Sequence, residues 1–258
     1  GQWFTCGPLH GILTCVTVAP RDPQPGWLTE AVLRPSVGNA FESTVEQLAT
    51  AIRLGVFVDG DQLPPERDLA ERLGVSRNTL REAIAALRDS GLVQTRRGRG
   101  GGSVVTYAGY APRSLTPDVR RGAALEDALD FRRVVEPGAA RLAATRHLSA
   151  DQRSWLRESA VAVRTSQGAA HRIADSRLHL AIATVTGAPM VVESVTRAQA
   201  ALSELLAAIP VLRRNIEHSH DQHEAIVAAI INGEPEVARS AMEEHCDGTA
   251  ALLRGLLG

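Results

Sequence analysis

The stretch LPPERDLAERLGVSRNTLREAIAALRDSG, residues 63–91, constrains the fold more than any other part of the chain. Pro64 and Pro65 open a helix with acids in its first turn, and Gly74 stops it. After the short turn LGVS, Val75, Leu80, Ala83, Ile84 and Leu87 recur at the spacing of one buried helical face. Gly91 is placed to end that second helix. Upstream, Val45, Leu48, Ala49 and Ile52 mark another helix, ending near Gly55. Downstream, LVQTR and SVVTY alternate like two strands around the glycine-rich turn RGRGGG. Three helices and a hairpin in this order make a winged helix-turn-helix.

In that motif the second helix of the pair enters the DNA major groove amino end first. The polar face of the second helix begins with Ser76, Arg77, Asn78, Thr79 and Arg81. Arg77 and Arg81 suit bidentate contact with guanine, and Asn78 suits adenine. Ser76 and Thr79 can reach phosphate at the positive end of the helix dipole. Charge agrees locally. Residues 76–102 hold Arg77, Arg81, Arg88, Arg96, Arg97 and Arg99 against Glu82 and Asp89, although the whole chain carries a formal charge of −1. All 28 basic residues are arginine. Aromatic residues make up 3%, which argues against base-stacking platforms for single strands. RGRGGG lacks the Gly-Lys-Ser/Thr ending of a nucleotide-binding loop and precedes a strand, not a helix.

Four segments are expected. Residues 1–39, rich in proline and without clear period, read as a poorly ordered leader. Residues 40–106 form the winged helix-turn-helix, 107–121 a linker, and 122–258 an all-helical domain. Helices are expected near 125–146, 149–164, 170–186, 189–208, 212–232 and 235–256, with breaks at Ser149, Gly168, Gly187 with Pro189, Pro210, and Gly233 with Pro235. Long amphipathic helices on short connections give an antiparallel bundle of about six. The fold class is therefore mainly α. No apolar run approaches a membrane span. The stretch GILTCVTVAP is short and has no basic segment before it, so no signal peptide is expected. Three cysteines make no disulfide framework, and a reduced cytoplasmic protein is the expectation.

Within the bundle, Asp175 and His179 stand four apart on one helix face, beside Leu178 and Ile182. His223 shares the inward stripe of Ile216, Ile226, Val227 and Ile230, and His245 follows Val237 and Met242 on the last helix. One carboxylate and three imidazoles converging in a bundle can hold a divalent ion. Spacing alone leaves other readings open. An inward histidine is more often a hydrogen-bonded core residue, and His220 shares much of the His223 face.

Residues 41–105 resemble the DNA-binding domain of GntR-family transcription regulators, through LPPERDLAERLGVSRNTLREAIAALRDSGLVQTRRGRGGG. The resemblance implies DNA contacts from Arg67, Ser76, Arg77, Asn78, Thr79 and Arg81, and from Arg97 and Gly98 of the wing; Arg67 rests on the resemblance alone. From ALDFRRVVEPGAARLAATR onward the chain is similar to the FCD ligand-binding domain of the FadR subfamily. That similarity implies a metal held by Asp175, His179, His223 and His245, and an Arg132 that reaches a ligand carboxylate. Arg133 is expected at the surface. Gln222, Leu178 and Ala188 stand where glutamate, phenylalanine and asparagine are usual, which alters the pocket but not the ligand set. The implied protein is a homodimeric repressor on a short palindromic operator, with a small organic acid bound to Zn²⁺, Ni²⁺ or Mn²⁺. The rival readings are a metalloenzyme, against which no general base or nucleophile is found near the four ligands, and a direct metal sensor.

Overall fold

The computed structural model describes residues 26–35, 40–96, 101–107, 123–209 and 213–257. The reading domain is built from α2 (Ala40–Arg53), α3 (Glu66–Leu73) and α4 (Arg77–Asp89), followed by β1 (Val93–Arg96) and β2 (Gly102–Val105). Pro65 precedes α3, and Gly74 ends it in the left-handed region at φ +67°. Ser76 caps α4, its Oγ accepting from the backbone N–H of Thr79 at 3.1 Å. Leu48, Ile52, Leu69, Leu80 and Leu87 are buried between the three helices. The strands pair antiparallel, Val93 opposite Val105 and Arg96 opposite Gly102. Their buried ends, Val93 and Val105, close the core of this domain. The wing residues Arg97 and Gly98 lie outside the described residues, as does the expected linker from 108 onward.

The carboxy-terminal bundle comprises α5 (Ala123–Ala144), α6 (Ala150–Thr165), α7 (Gly168–Val185), α8 (Pro189–Leu206), α9 (Arg213–Asn232) and α10 (Pro235–Leu257). These are the six helices the sequence predicts, with boundaries within a few residues. Ser149 and Gln152 form a capping box at the start of α6. Gly187 turns the chain at φ +65° and Pro189 starts α8. Helix α5 lies against α7, α8, α9 and α10, and so forms the spine of the bundle.

Part of the expected leader is ordered. Helix α1 (Trp27–Val32) packs on α7 and α8, with Leu28, Ala31 and Leu33 buried. Trp27 meets Trp155 of α6 edge to face at 5.0 Å between ring centres. On its other side the segment touches the reading domain. The Arg34 N–H donates to Gln47 Oε1 at 2.9 Å, and Pro35 lies against Gly74. Trp27, Leu28 and Ala31 already make one helical face, but six residues among so many prolines give no sustained period. Burial against the bundle supplies what propensity does not. The two domains also meet directly, where Arg177 of α7 donates to the carbonyl of Gly55.

Candidate metal centre and nucleic-acid interface

The bundle interior has two apolar clusters with a polar layer between them. On α5, Arg132 and Glu136 separate Leu125 and Leu129 from Ala139 and Ala140. On α8, Gln199 stands between Val195 and Leu202; on α10, His245 and Cys246 follow Met242 and precede Ala250 and Leu253. Arg132, Glu136, His179, Gln199, His223 and His245 are all buried. Burying this many polar groups is costly unless they are paired with one another or with a ligand.

Asp175, His179, His223 and His245 come together as the spacing predicts, each offering one donor atom, all within 4.8 Å of one another. His223 Nε2 lies 3.3 Å from Asp175 Oδ1. Ring centres are 4.5 Å apart for His223 and His245, 5.1 Å for His179 and His245, and 5.5 Å for His179 and His223. His179 Nε2, both nitrogens of His223, and His245 Nε2 are buried without a hydrogen-bond partner. Three such imidazoles and a carboxylate fit a divalent ion, whose ligands at bonds of about 2.0–2.1 Å sit roughly 3–4 Å apart. Burial drives the His223 imidazole down to about 3, and burial likewise holds His245 well below its ordinary value. Both rings therefore stay neutral, with lone pairs free for coordination.

The surroundings orient these rings. His179 Nδ1 lies 2.8 Å from Glu136 Oε2. His245 Nδ1 lies 3.3 Å from Gln222 Oε1 and 3.5 Å from Ser219 Oγ. In each ring the opposite nitrogen is left for the centre of the cluster. Arg132 Nε donates to Glu136 Oε2 at 3.1 Å, while its Nη1 and Nη2 are buried with no partner. Burial alone would raise the Glu136 carboxyl. The adjacent Arg132 charge, His179 and a hydrogen bond from Gln199 outweigh it and hold Glu136 at about 2.

His220 does not join the cluster. It packs edge to face on His171, 5.4 Å between ring centres, and His171 Nδ1 is 3.1 Å from the Val163 carbonyl. Arg133 is half-buried at the surface and pairs with Glu243 and Asp247. Sequence reasoning missed the parts played by Glu136, Gln199 and Cys246. They stand on three different helices, α5, α8 and α10, and only the packing phase of those helices brings them together.

On the reading domain, Ser76, Arg77 and Asn78 are exposed at the head of α4, with Thr79 half-buried and Arg81 exposed one turn on. Arg81 pairs with Glu66 at 2.7 Å, Asn78 donates to Glu82 at 2.8 Å, and Arg67 pairs with Asp68 at 3.0 Å. These exposed contacts contribute little and exchange easily for phosphate or base edges. Arg77 has no hydrogen-bond or ion-pair partner among the described residues.

Comparison with known proteins agrees with both halves. Residues 41–102 match the family described as bacterial regulatory proteins, gntR family, and residues 127–248 match the FCD domain. A protein of Mycobacterium gastri named as the HTH-type transcriptional regulator RmpR is 31% identical over 214 residues, covering 79% of this chain and 76% of that one. The HTH-type transcriptional repressor NanR of Escherichia coli K12 is 29% identical over 222 residues, covering 81% and 82%. The solved structure of E. coli McbR/YncC aligns over 86% of this chain and 100% of its own, with TM-score 0.53 at 18% identity, a likeness of fold. RmpR and NanR carry the names of transcription regulators, not of enzymes. The winged helix-turn-helix and the bundle behind it thus make this chain a DNA-binding transcription regulator of the gntR family, with an FCD domain as its carboxy-terminal half.

Proposed function

We propose that the protein is a cytoplasmic, homodimeric repressor whose hold on a short palindromic operator changes when a small organic acid binds in the FCD domain. Asp175, His179, His223 and His245 would hold a divalent ion, and Arg132 would take a carboxylate of the acid. When bound, the ion would supply coordination positions for ligand oxygens; Zn²⁺, Ni²⁺ and Mn²⁺ all accept this donor set. At the operator, Arg77, Asn78 and Arg81 would read base edges. Arg67, Ser76 and Thr79 would hold phosphates together with Arg97 and Gly98. The name of NanR as a repressor supports the sign of regulation.

One observation carries the reading. Arg132 is 1% exposed, and two of its three guanidinium nitrogens have no partner. Leaving buried donors unmade costs about 1–3 kcal/mol each, more for a charged group. Two adjacent donors in a planar fork match a carboxylate. A sensor of the ion alone would have no use for that fork, which disfavours direct metal sensing.

The test is thermal unfolding of the metal-loaded protein against mono- and dicarboxylates, hydroxy acids and sugar acids. A ligand at a hundredfold its Kd adds roughly 2.7 kcal/mol. At least one acid is expected to raise the melting temperature of the wild type and alter its operator binding. The same acid should fail with Arg132→Lys, which keeps a charge beside Glu136 but loses the fork. Equal stabilisation of both proteins contradicts the assignment.

A further inference from the structure

The polar layer makes a second demand on its ligand. Gln199 of α8 is fully buried and donates from Nε2 to Glu136 Oε1 at 2.6 Å. That bond fixes the amide. Glu136 is the ion-pair partner of Arg132 and can only accept, so Gln199 must turn its NH₂ toward it. Gln199 Oε1 is then left as an acceptor, and it too is buried without a partner. Around one carboxylate, therefore, stand two unused donors, Arg132 Nη1 and Nη2, and one unused acceptor, Gln199 Oε1. A plain carboxylate answers the donors and leaves the acceptor unmet.

We infer that the ligand is a hydroxy-carboxylate, whose acid group meets Arg132 and whose hydroxyl donates to Gln199 Oε1. The inference rests on the carboxylate reading above. An amino acid also offers a donor beside its carboxylate, but as an ammonium. Its charge would sit next to Arg132 and the ion. The neighbouring Glu136 already answers the Arg132 charge and accepts on both oxygens, Oε1 from Gln199 and Oε2 from Arg132, with His179 and the Cys246 thiol also against Oε2, so it offers no second full negative charge to an ammonium. A hydroxyl makes the same hydrogen bond with no added charge. Sites that hydrogen-bond a ligand hydroxyl reject analogues lacking it, because their own buried group is then stranded.

The test is calorimetric titration of the metal-reconstituted full chain with matched sets. Suitable sets are lactate, propionate and alanine; 3-hydroxybutyrate, butyrate and 3-aminobutyrate; and malate, succinate and aspartate. In the sets that bind, the hydroxy acid is expected to bind on the order of tenfold or more tightly than both analogues. Gln199→Met, similar in length but a poor acceptor, is expected to bring the hydroxy acid down to the level of the unsubstituted acid. Metal content, measured alongside, shows whether the variant keeps its cluster, and the wild-type comparison stands without it. Equal affinities within every binding set overturn the inference, as does preference for the amino member or full discrimination in Gln199→Met. Each of those leaves carboxylate binding at Arg132 intact. No binding by any member defeats the carboxylate reading itself, and this inference with it.

Discussion

His179 shows how little freedom the cluster leaves a single side chain. Glu136 approaches one ring nitrogen at 2.8 Å, and the other has no protein partner. A ring held in this way presents one lone pair in one direction. His179→Ala and His245→Ala should therefore each strip the purified protein of its ion, measured by elemental analysis, with the reading domain still folded. His171→Ala and His147→Ala should keep it, since His171 is spent on Val163 and His220, and His147 is exposed. Retention in His179→Ala, or loss in His171→Ala, would refute the ligand set. At the other end of the molecule, Arg77 is exposed at the head of α4 and free to reach the groove. Arg77→Ala should lower operator affinity by about 1–3 kcal/mol in a gel-shift titration, the range for one bidentate base contact. Unchanged affinity would mean that a different face reads the DNA. Asp175 and His179 were legible because four residues on one helix fix their geometry before any packing. Gln199 was not, because nothing local tells a buried glutamine which carboxylate it will meet.

At the scale of elements, caps and breaks carried most of the information. Gly74, Ser76 and Gly91 punctuate α3 and α4 where the sequence places them, and Gly187 with Pro189 separates α7 from α8. Ser76 illustrates how one residue serves two roles. Its Oγ accepts from the Thr79 N–H and lies 2.9 Å from Thr79 Oγ1, so the cap also fixes the first turn, the one proposed to face DNA. Ser76→Ala should cost about 0.5–2 kcal/mol of stability, seen as a lower denaturation midpoint. Ser76→Asp should restore most of that stability yet still weaken DNA binding, by placing a negative charge beside phosphates. Recovery of both together would show that Ser76 acts only as a cap. Helix α1 was the element that could not be read. It packs on α7 and α8 and sets Trp27 against Trp155 of α6, helices more than a hundred residues away.

Across the whole molecule, α7 joins the two functions. Its inner face carries Asp175 and His179, while Ile173 and Arg177 close over Gly55 of the reading domain. Gly55 has φ +75°, and a Cβ there would collide with Ile173, so the seam admits only glycine as built. The segment carrying helix α1 bridges the same seam: the helix packs on α7 and α8 with Leu28 and Ala31 buried, and the Arg34 N–H just beyond it donates to Gln47 of α2. A ligand held as proposed between an ion and Arg132 would touch α5, α7, α9 and α10 together, so its binding and the seat of the reading domain would share one helix. Such a ligand changes DNA affinity only by binding two arrangements unequally. Linkage then obliges operator DNA to change ligand affinity by the same factor, typically about 5–150-fold. The most direct measurement is calorimetric titration of the carboxylate that raises the melting temperature, into the protein alone and into its operator complex. The account predicts two affinities differing by the same factor as the operator affinities with and without ligand. Identical affinities would contradict it, leaving the bundle a binding site with no hold on the DNA.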